Sequence, residues 1–137
     1  MDIIKVPKRL PLVPEYSGFT GTFRQGLEAG KFMTTACASC GALTFPPKQH
    51  CPDCWSDDMN WTELSGQGIL YARTTIHAAA TQFRDEVPFS VGIVDLEEGV
   101  RLVAGLIDDP DRIKNDDAIR LVILSYEDGL LFAARPA

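Results

Sequence analysis

The chain has 137 residues, 45% of them hydrophobic, with 13 Lys and Arg against 19 Asp and Glu for a net charge of −6. That length accommodates one ordinary domain, or a small domain with a metal-stapled module. The acidic balance disfavours general nucleic-acid binding, which relies on clustered Lys and Arg, and no apolar run approaches the roughly 18 residues of a membrane helix.

The first residues, MDIIKVPKRLPLVPEY, lack the apolar stretch and small-residue cleavage site of a signal peptide, so a cytoplasmic location is expected. Pro7, Pro11 and Pro14 each remove a backbone donor and bias the preceding residue away from helix. The segment should therefore be extended. Ile3, Ile4, Val6, Leu10, Leu12 and Val13 make it more apolar than a solvated tail. It reads either as a loose terminus or as an arm that docks on its own domain or on a partner. Lys5, Lys8 and Arg9, then Arg24, Lys31 and Lys48, leave room for a local basic patch.

In YSGFTGTFRQGLEAGKF, Phe19, Phe23 and Leu27 recur every four residues, on one face of a helix. Ser17 is placed to cap its start and Gly30 to end it. Gly21 and Gly26 each weaken such a helix by about 1 kcal/mol relative to Ala. It needs a surface to pack on, and its aromatic face reads as intramolecular core and as interface about equally.

All four cysteines fall in CASCGALTFPPKQHCPDC, residues 37 to 54. Each Cys-x-x-Cys turn brings two sulfurs together, and Gly41 suits the tight turn after Cys40. Pro46 and Pro47 lie where a hairpin connection would run. Two such knuckles facing each other form a tetrahedral four-sulfur site, the arrangement of a zinc ribbon. No strand–helix pattern follows either pair, as a thioredoxin-like site requires, and cytoplasmic thiols disfavour two disulfides. Cys37, Cys40, Cys51 and Cys54 are thus the metal ligands, with one Zn2+ per chain; iron would take the same ligands. Four protein ligands leave no position for water or substrate, so the metal is structural. His50 is surplus to that shell.

Beyond Trp61 the pattern turns to strands: the long QGILYARTTIHAAAT, then VPFSVGIVDL, VRLVAGLI, AIRLVILSY and LLFAA, separated by the turns EEG and EDG and the polar loop DDPDRIKNDDA. Five strands with a first one long enough to bend suggest a small closed barrel of OB type, with an open meander or a small sandwich as alternatives.

Catalytic machinery is not evident. The metal site uses every thiol. On strict alternation His77 shares a face with Ile69, Tyr71, Arg73 and Thr75, and without a carboxylate at informative spacing it reads as structural. Asp108, Asp109 and Asp111 read as a solvated acidic loop, and no phosphate-cradling glycine motif occurs. No catalytic residue is assigned.

An N-terminal helix ending in EAGKF, then CxxCG, FPPKQHCPDC, GQGILYARTTIH, VPFSVGIVDLEEGVRLVAGL and a terminal LLFAARP resembles, in that order and over nearly the whole chain, the zinc-ribbon OB-fold proteins that accompany thiolases and other acyl-CoA enzymes. The resemblance implies a mainly β fold: an N-terminal arm and helix (1–34), a rubredoxin-like zinc ribbon (35–60) and a five-stranded OB-fold barrel (61–137). It further implies a non-catalytic accessory subunit in a hetero-oligomer. A thiolase-fold partner would carry the catalytic cysteine, and this chain would help shape or gate the acyl-CoA site. Family partners range from thiolases joined to hydroxymethylglutaryl-CoA synthase, through thiolases of the benzoylsuccinyl-CoA type, to steroid side-chain lyases and hydratases. Where the family often has a glycine before the fourth strand, this chain has Lys114-Asn115-Asp116-Asp117-Ala118, whose extra acid argues against a phosphate contact there. Phe19 and Phe23 are then candidate partner contacts, and Arg24, Lys31 and Lys48 candidate CoA or partner contacts, with Arg73 and Arg84 behind them. Two rival readings are an OB-fold single-stranded nucleic-acid binder, using Tyr71, Arg73 and Phe89, and a chain that binds CoA esters alone.

Overall fold

The computed structural model describes residues 1–108 and 110–137. In chain order they form β1 (Ile3–Lys5), α1 (Gly21–Glu28), β2 (Phe32–Cys37), β3 (Leu43–Thr44), β4 (Met59–Leu64), β5 (Gln67–Ile76), β6 (Phe89–Leu96), β7 (Arg101–Leu106), β8 (Ala118–Tyr126) and β9 (Gly129–Pro136). The fold is mainly β, as expected. A short helix and a three-stranded ribbon sheet, ordered β3-β2-β4, adjoin a barrel ordered β8-β5-β6-β7-β9 that closes through β8–β9. All five barrel strands match those read from the pattern. The expected divisions at 34/35 and 60/61 fall inside β2 and β4, because the ribbon sheet runs from Phe32 to Leu64. Of the acidic loop, Asp109 lies outside the described residues.

The arm docks on its own barrel. Along β8, β5 covers only Ala118–Arg120 at its start. β1 pairs in parallel with Ile123, Leu124 and Ser125 farther along the same strand, which blunts an otherwise open edge. Beyond it, the Glu127 amide donates to the Lys8 carbonyl (3.0 Å), and the Leu10 amide to Asp128 Oδ1 (2.8 Å).

β5 bends where two residues face one. Leu70 is opposite Val94 and Ala72 opposite Ile93, leaving Tyr71 as a bulge. The bulge resets the alternation. Leu70 points inward before it. Arg73 and Thr75, opposite the buried Gly92 and Ser90, point inward after it. Strict alternation therefore misplaces His77. It does not share a face with Ile69 and Tyr71, and it lies exposed beyond the end of the strand.

α1 starts one turn later than expected. Thr20, not Ser17, occupies the cap position, and its side chain caps nothing within the helix. Ser17 instead closes the preceding turn, its Oγ accepting from the Thr20 amide (3.1 Å) and its carbonyl from Gly21 (2.8 Å). The C-terminal end matches expectation. Lys31 N–H reaches back to Gly26 O (2.8 Å) and Gly30 N–H to Leu27 O (3.0 Å), while Gly30 takes φ +77°. This is the Schellman pattern that favours glycine. Gly26 has a separate reason to lack a side chain, because a Cβ there would sit 2.6 Å from Met33 Cγ and 3.2 Å from the Lys31 carbonyl.

One hydrophobic cluster joins all three parts. It includes Leu27 of the helix, Phe32 and Leu64 of the ribbon sheet, and Leu70, Val94, Leu106, Ile119 and Ile123 of the barrel.

Candidate metal centre and the junction beside it

The first knuckle follows the end of β2 at Cys37, the second lies in the loop between β3 and β4, and their backbones repeat. Gly41 N–H donates to Cys37 O and Trp55 N–H to Cys51 O, both at 2.8 Å. Cys37 N–H donates to Ala42 O (2.9 Å) and Cys51 N–H to Ser56 O (2.8 Å). The first cysteine of each pair is buried and the second faces outward. Amides point at sulfur within the turns, Cys40 N–H to Cys37 Sγ and Asp53 N–H to Cys51 Sγ, each at 3.4 Å.

The four Sγ atoms lie within 4.8 Å of one another, and Cys37–Cys54 and Cys40–Cys51 approach to 3.6 Å. A tetrahedron with metal–sulfur bonds of about 2.3 Å has edges of about 3.8 Å, so the cage fits one tetrahedral ion. The electrostatics agree. The Cys40 amide draws the Cys37 thiol down to about 6. The Ala42 amide draws Cys40 down as well, but the Cys51, Cys37 and Cys54 sulfurs outweigh it and push this thiol up to about 12. The Ser56 amide likewise lowers Cys54, and the neighbouring Cys37 sulfur and burial raise it overall. The Cys37 thiolate forms readily, and Cys40 and Cys54 resist ionising beside it until a cation balances them. His50, adjacent in sequence, is exposed.

Behind the cage the ribbon is polar inside. Thr34 and Thr35 are fully buried. Thr34 Oγ1 donates to the Thr44 carbonyl, Thr35 Oγ1 and Thr44 Oγ1 share a bond of 2.7 Å, and Lys48 N–H donates to Thr35 Oγ1 (2.9 Å). Satisfied hydroxyls thus replace the apolar core that so short a segment cannot build.

The candidate contact residues divide. Phe23 lies in a four-ring cluster: it meets Phe32 at 5.6 Å, Phe45 at 6.1 Å and Phe132 at 6.3 Å, while Phe32 stacks on Phe45 at 5.3 Å. Helix, ribbon and barrel meet there. Phe19 tilts against Trp61 at 5.2 Å. Phe23 lies on α1 and Phe19 in the turn before it; both rings are half-buried, and both serve the chain's own packing. Arg24 is exposed and pairs with Glu28 one turn on (3.3 Å). Lys31 is exposed and Lys48 half-buried, and neither ammonium is in an ion pair among the described residues. Arg73 turns its guanidinium to the carbonyls of Pro110 and Ile113 and to Asp111, clamping the loop before β8. Arg84 is exposed on the loop between β5 and β6. Sequence reasoning missed Phe32, Phe45 and Phe132, which belong to three separate segments without common periodicity.

The chain matches the family described as ChsH2, rubredoxin-like zinc ribbon domain, over residues 24–60, and that described as ChsH2, C-terminal OB-fold domain, over residues 61–124. A DUF35 domain-containing scaffold protein of Methanothermobacter thermautotrophicus is 33% identical over 101 residues, covering 69% of this chain and 76% of the relative. The benzoylsuccinyl-CoA thiolase subunit BbsA of Thauera aromatica is 32% identical over 92 residues, covering 67% of this chain and 62% of the relative. Among solved structures, one described as Ltp2-ChsH2(DUF35) aldolase superposes with a TM-score of 0.77 at 29% identity, covering 90% of this chain and 98% of that one.

Proposed function

The chain belongs to the ChsH2, or DUF35, family of zinc-ribbon OB-fold proteins, and from that premise we infer that it is a non-catalytic scaffold subunit of a thiolase-type acyl-CoA complex. The observation that carries the reading is the closed four-sulfur cage, which takes up every thiol of the chain. The nucleophilic cysteine of a thiolase would then belong to the partner. The metal is a structural Zn2+ held by Cys37, Cys40, Cys51 and Cys54; it supplies folding energy to the ribbon and leaves no coordination site for substrate. The likeness to a scaffold protein, a thiolase subunit and a chain of an aldolase supports a thiolase-fold partner. The substrate class reached on these grounds is acyl-CoA as such. Lys31 and Lys48 are the better candidates for CoA phosphates, since Arg24 and Arg73 already have anionic or carbonyl partners.

The barrel face speaks against the nucleic-acid reading. Tyr71 lies under Arg101, whose guanidinium carbon is 3.9 Å from the ring centroid and whose nitrogens bond both Asp95 oxygens (2.6 and 3.0 Å). The guanidinium is thus neutralised, and the surface beside it carries Ile69 and Val103 in place of stacking platforms flanked by free cations.

The test is to purify the native chain from its source under mild salt and identify what elutes with it. A thiolase-fold protein in fixed ratio, with thiolase or aldolase activity that falls when the two are separated, is expected. A chain that elutes alone and binds acyl-CoA by itself would overturn the scaffold reading.

A further inference from the structure

The two knuckles are built alike but differ at one equivalent position. After the second cysteine of each, the backbone enters the left-handed region: Gly41 at φ +78° and Trp55 at φ +64°. Glycine adopts that conformation freely, whereas for a bulky side chain it is a rare outlier. Among the described residues the Trp55 indole is in no aromatic pair and no hydrogen bond. Trp55 is 79% exposed, the most exposed of the large hydrophobic side chains, whereas the chain's other tryptophan, Trp61, packs at a tilt against Phe19. The surroundings have one sign. Asp53, Asp57 and Asp58 are exposed within three residues of it, and none is in an ion pair among the described residues. From Cys37 to Asp58 the only opposing charge is Lys48, a net of −2 with His50 neutral. Four thiolates around one divalent ion deepen that by two more.

We propose that Trp55 and the carboxylates beside it form a docking point for an arginine-bearing, cationic element of a partner chain. A guanidinium is the group that both parts recognise: its planar face lies on an indole, and its N–H groups reach carboxylates at the edge. The chain holds a smaller example of the same chemistry where Arg101 covers Tyr71 and pairs with Asp95. Charge complementarity selects the occupant. A second copy of this chain, itself at −6, would be repelled, as would a polyanionic ligand. The proposal rests on the scaffold reading only for the existence of a partner.

The experiment uses the full, zinc-loaded chain and two probes. Hexa-arginine and hexa-lysine peptides are titrated by calorimetry at fixed salt, against wild type, Trp55→Gly and the double variant Asp57→Asn/Asp58→Asn. Wild type is expected to bind the arginine peptide about fivefold or more above the lysine peptide. Trp55→Gly should erase that preference while its thermal midpoint holds or rises, because glycine suits the backbone there. The double variant should weaken both peptides alike. No arginine preference, a preference that survives Trp55→Gly, or a midpoint that falls in Trp55→Gly would overturn the proposal, the last by showing the ring to be structural. The second arm measures affinity for the thiolase-fold protein that co-purifies with the chain, where Trp55→Gly should cost about tenfold or more. An unchanged affinity there sinks the docking point and leaves the scaffold reading in place. The reverse result, arginine preference with no co-purifying partner, sustains the docking point and sinks the scaffold reading.

Discussion

Replacing Phe32 by alanine tests whether the ring cluster binds the ribbon to the barrel. Phe32 is fully buried, with Phe132 at 5.1 Å, Phe45 at 5.3 Å and Phe23 at 5.6 Å. Truncating a buried phenylalanine costs about 3–5 kcal/mol, through lost transfer energy and the cavity left behind. Each ring contact adds about 0.5–1.5 kcal/mol beyond area burial. The three neighbouring rings are only half-buried and will relax partly into the gap, which places Phe32→Ala at about 4 kcal/mol. For a chain of this length that lowers Tm by about 15 °C. Calorimetry of the zinc-loaded protein reads the midpoint, and Trp61 fluorescence with far-ultraviolet dichroism follows ribbon and barrel separately. Both probes should fall together. Phe19→Ala, which loses a single ring contact with Trp61, should cost only about 1 kcal/mol. A loss below about 1.5 kcal/mol for Phe32→Ala would refute the reasoning, as would a ribbon that melts early while the barrel midpoint stays in place.

Three further outcomes follow from the same geometry. A strong chelator should release one metal per chain and unfold the 37–54 module, measured by a colorimetric zinc assay alongside amide exchange; an intact ribbon without metal would contradict the cage. Gly21→Ala, with open space around the new methyl, should stabilise by a few tenths to about 1 kcal/mol, whereas Gly26→Ala should destabilise, since its Cβ meets Met33 and the Lys31 carbonyl. Hydrogen bonding from Arg101 holds the Asp95 carboxyl below its usual range. Its contribution is therefore present above the unfolded-state value near pH 4 and fades as pH falls through the lower folded value. In urea titrations, Asp95→Asn should lower stability by a constant amount at neutral and alkaline pH and flatten that part of the acid limb, so that the two proteins converge at low pH.

What the sequence disclosed and what it hid divide along contact range. The two Cys-x-x-Cys turns are local, so spacing alone predicted the cage that the four sulfurs form. The barrel strands announced themselves through β-branched runs between turn residues, each signal contained in a dozen residues. The bulge at Tyr71 did not, because an extra residue is visible only against the partner strand, and one uncounted residue put Arg73 and Thr75 on the face of Ile69 and Tyr71. Arg73 likewise looked like a free cation until the loop at 110–113 was placed beside it. The Phe32, Phe45 and Phe132 rings meet although Phe32 and Phe132 are 100 residues apart in the chain, and no periodicity joins them. Gly26 looked like a weakness of the helix. It marks instead the closest approach of helix to ribbon.

The link between ribbon and barrel is two residues long. β4 ends at Leu64 and β5 begins at Gln67, and Glu98 of the β6–β7 turn grips Ser65 through its amide (2.6 Å) and its hydroxyl (3.2 Å). With no slack there and four rings wedged behind it, the cysteine tip is an outrigger set at a fixed offset from the barrel. A chain so built presents tip and barrel at one spacing, and a longer link would change that spacing before it changed the fold of either sheet.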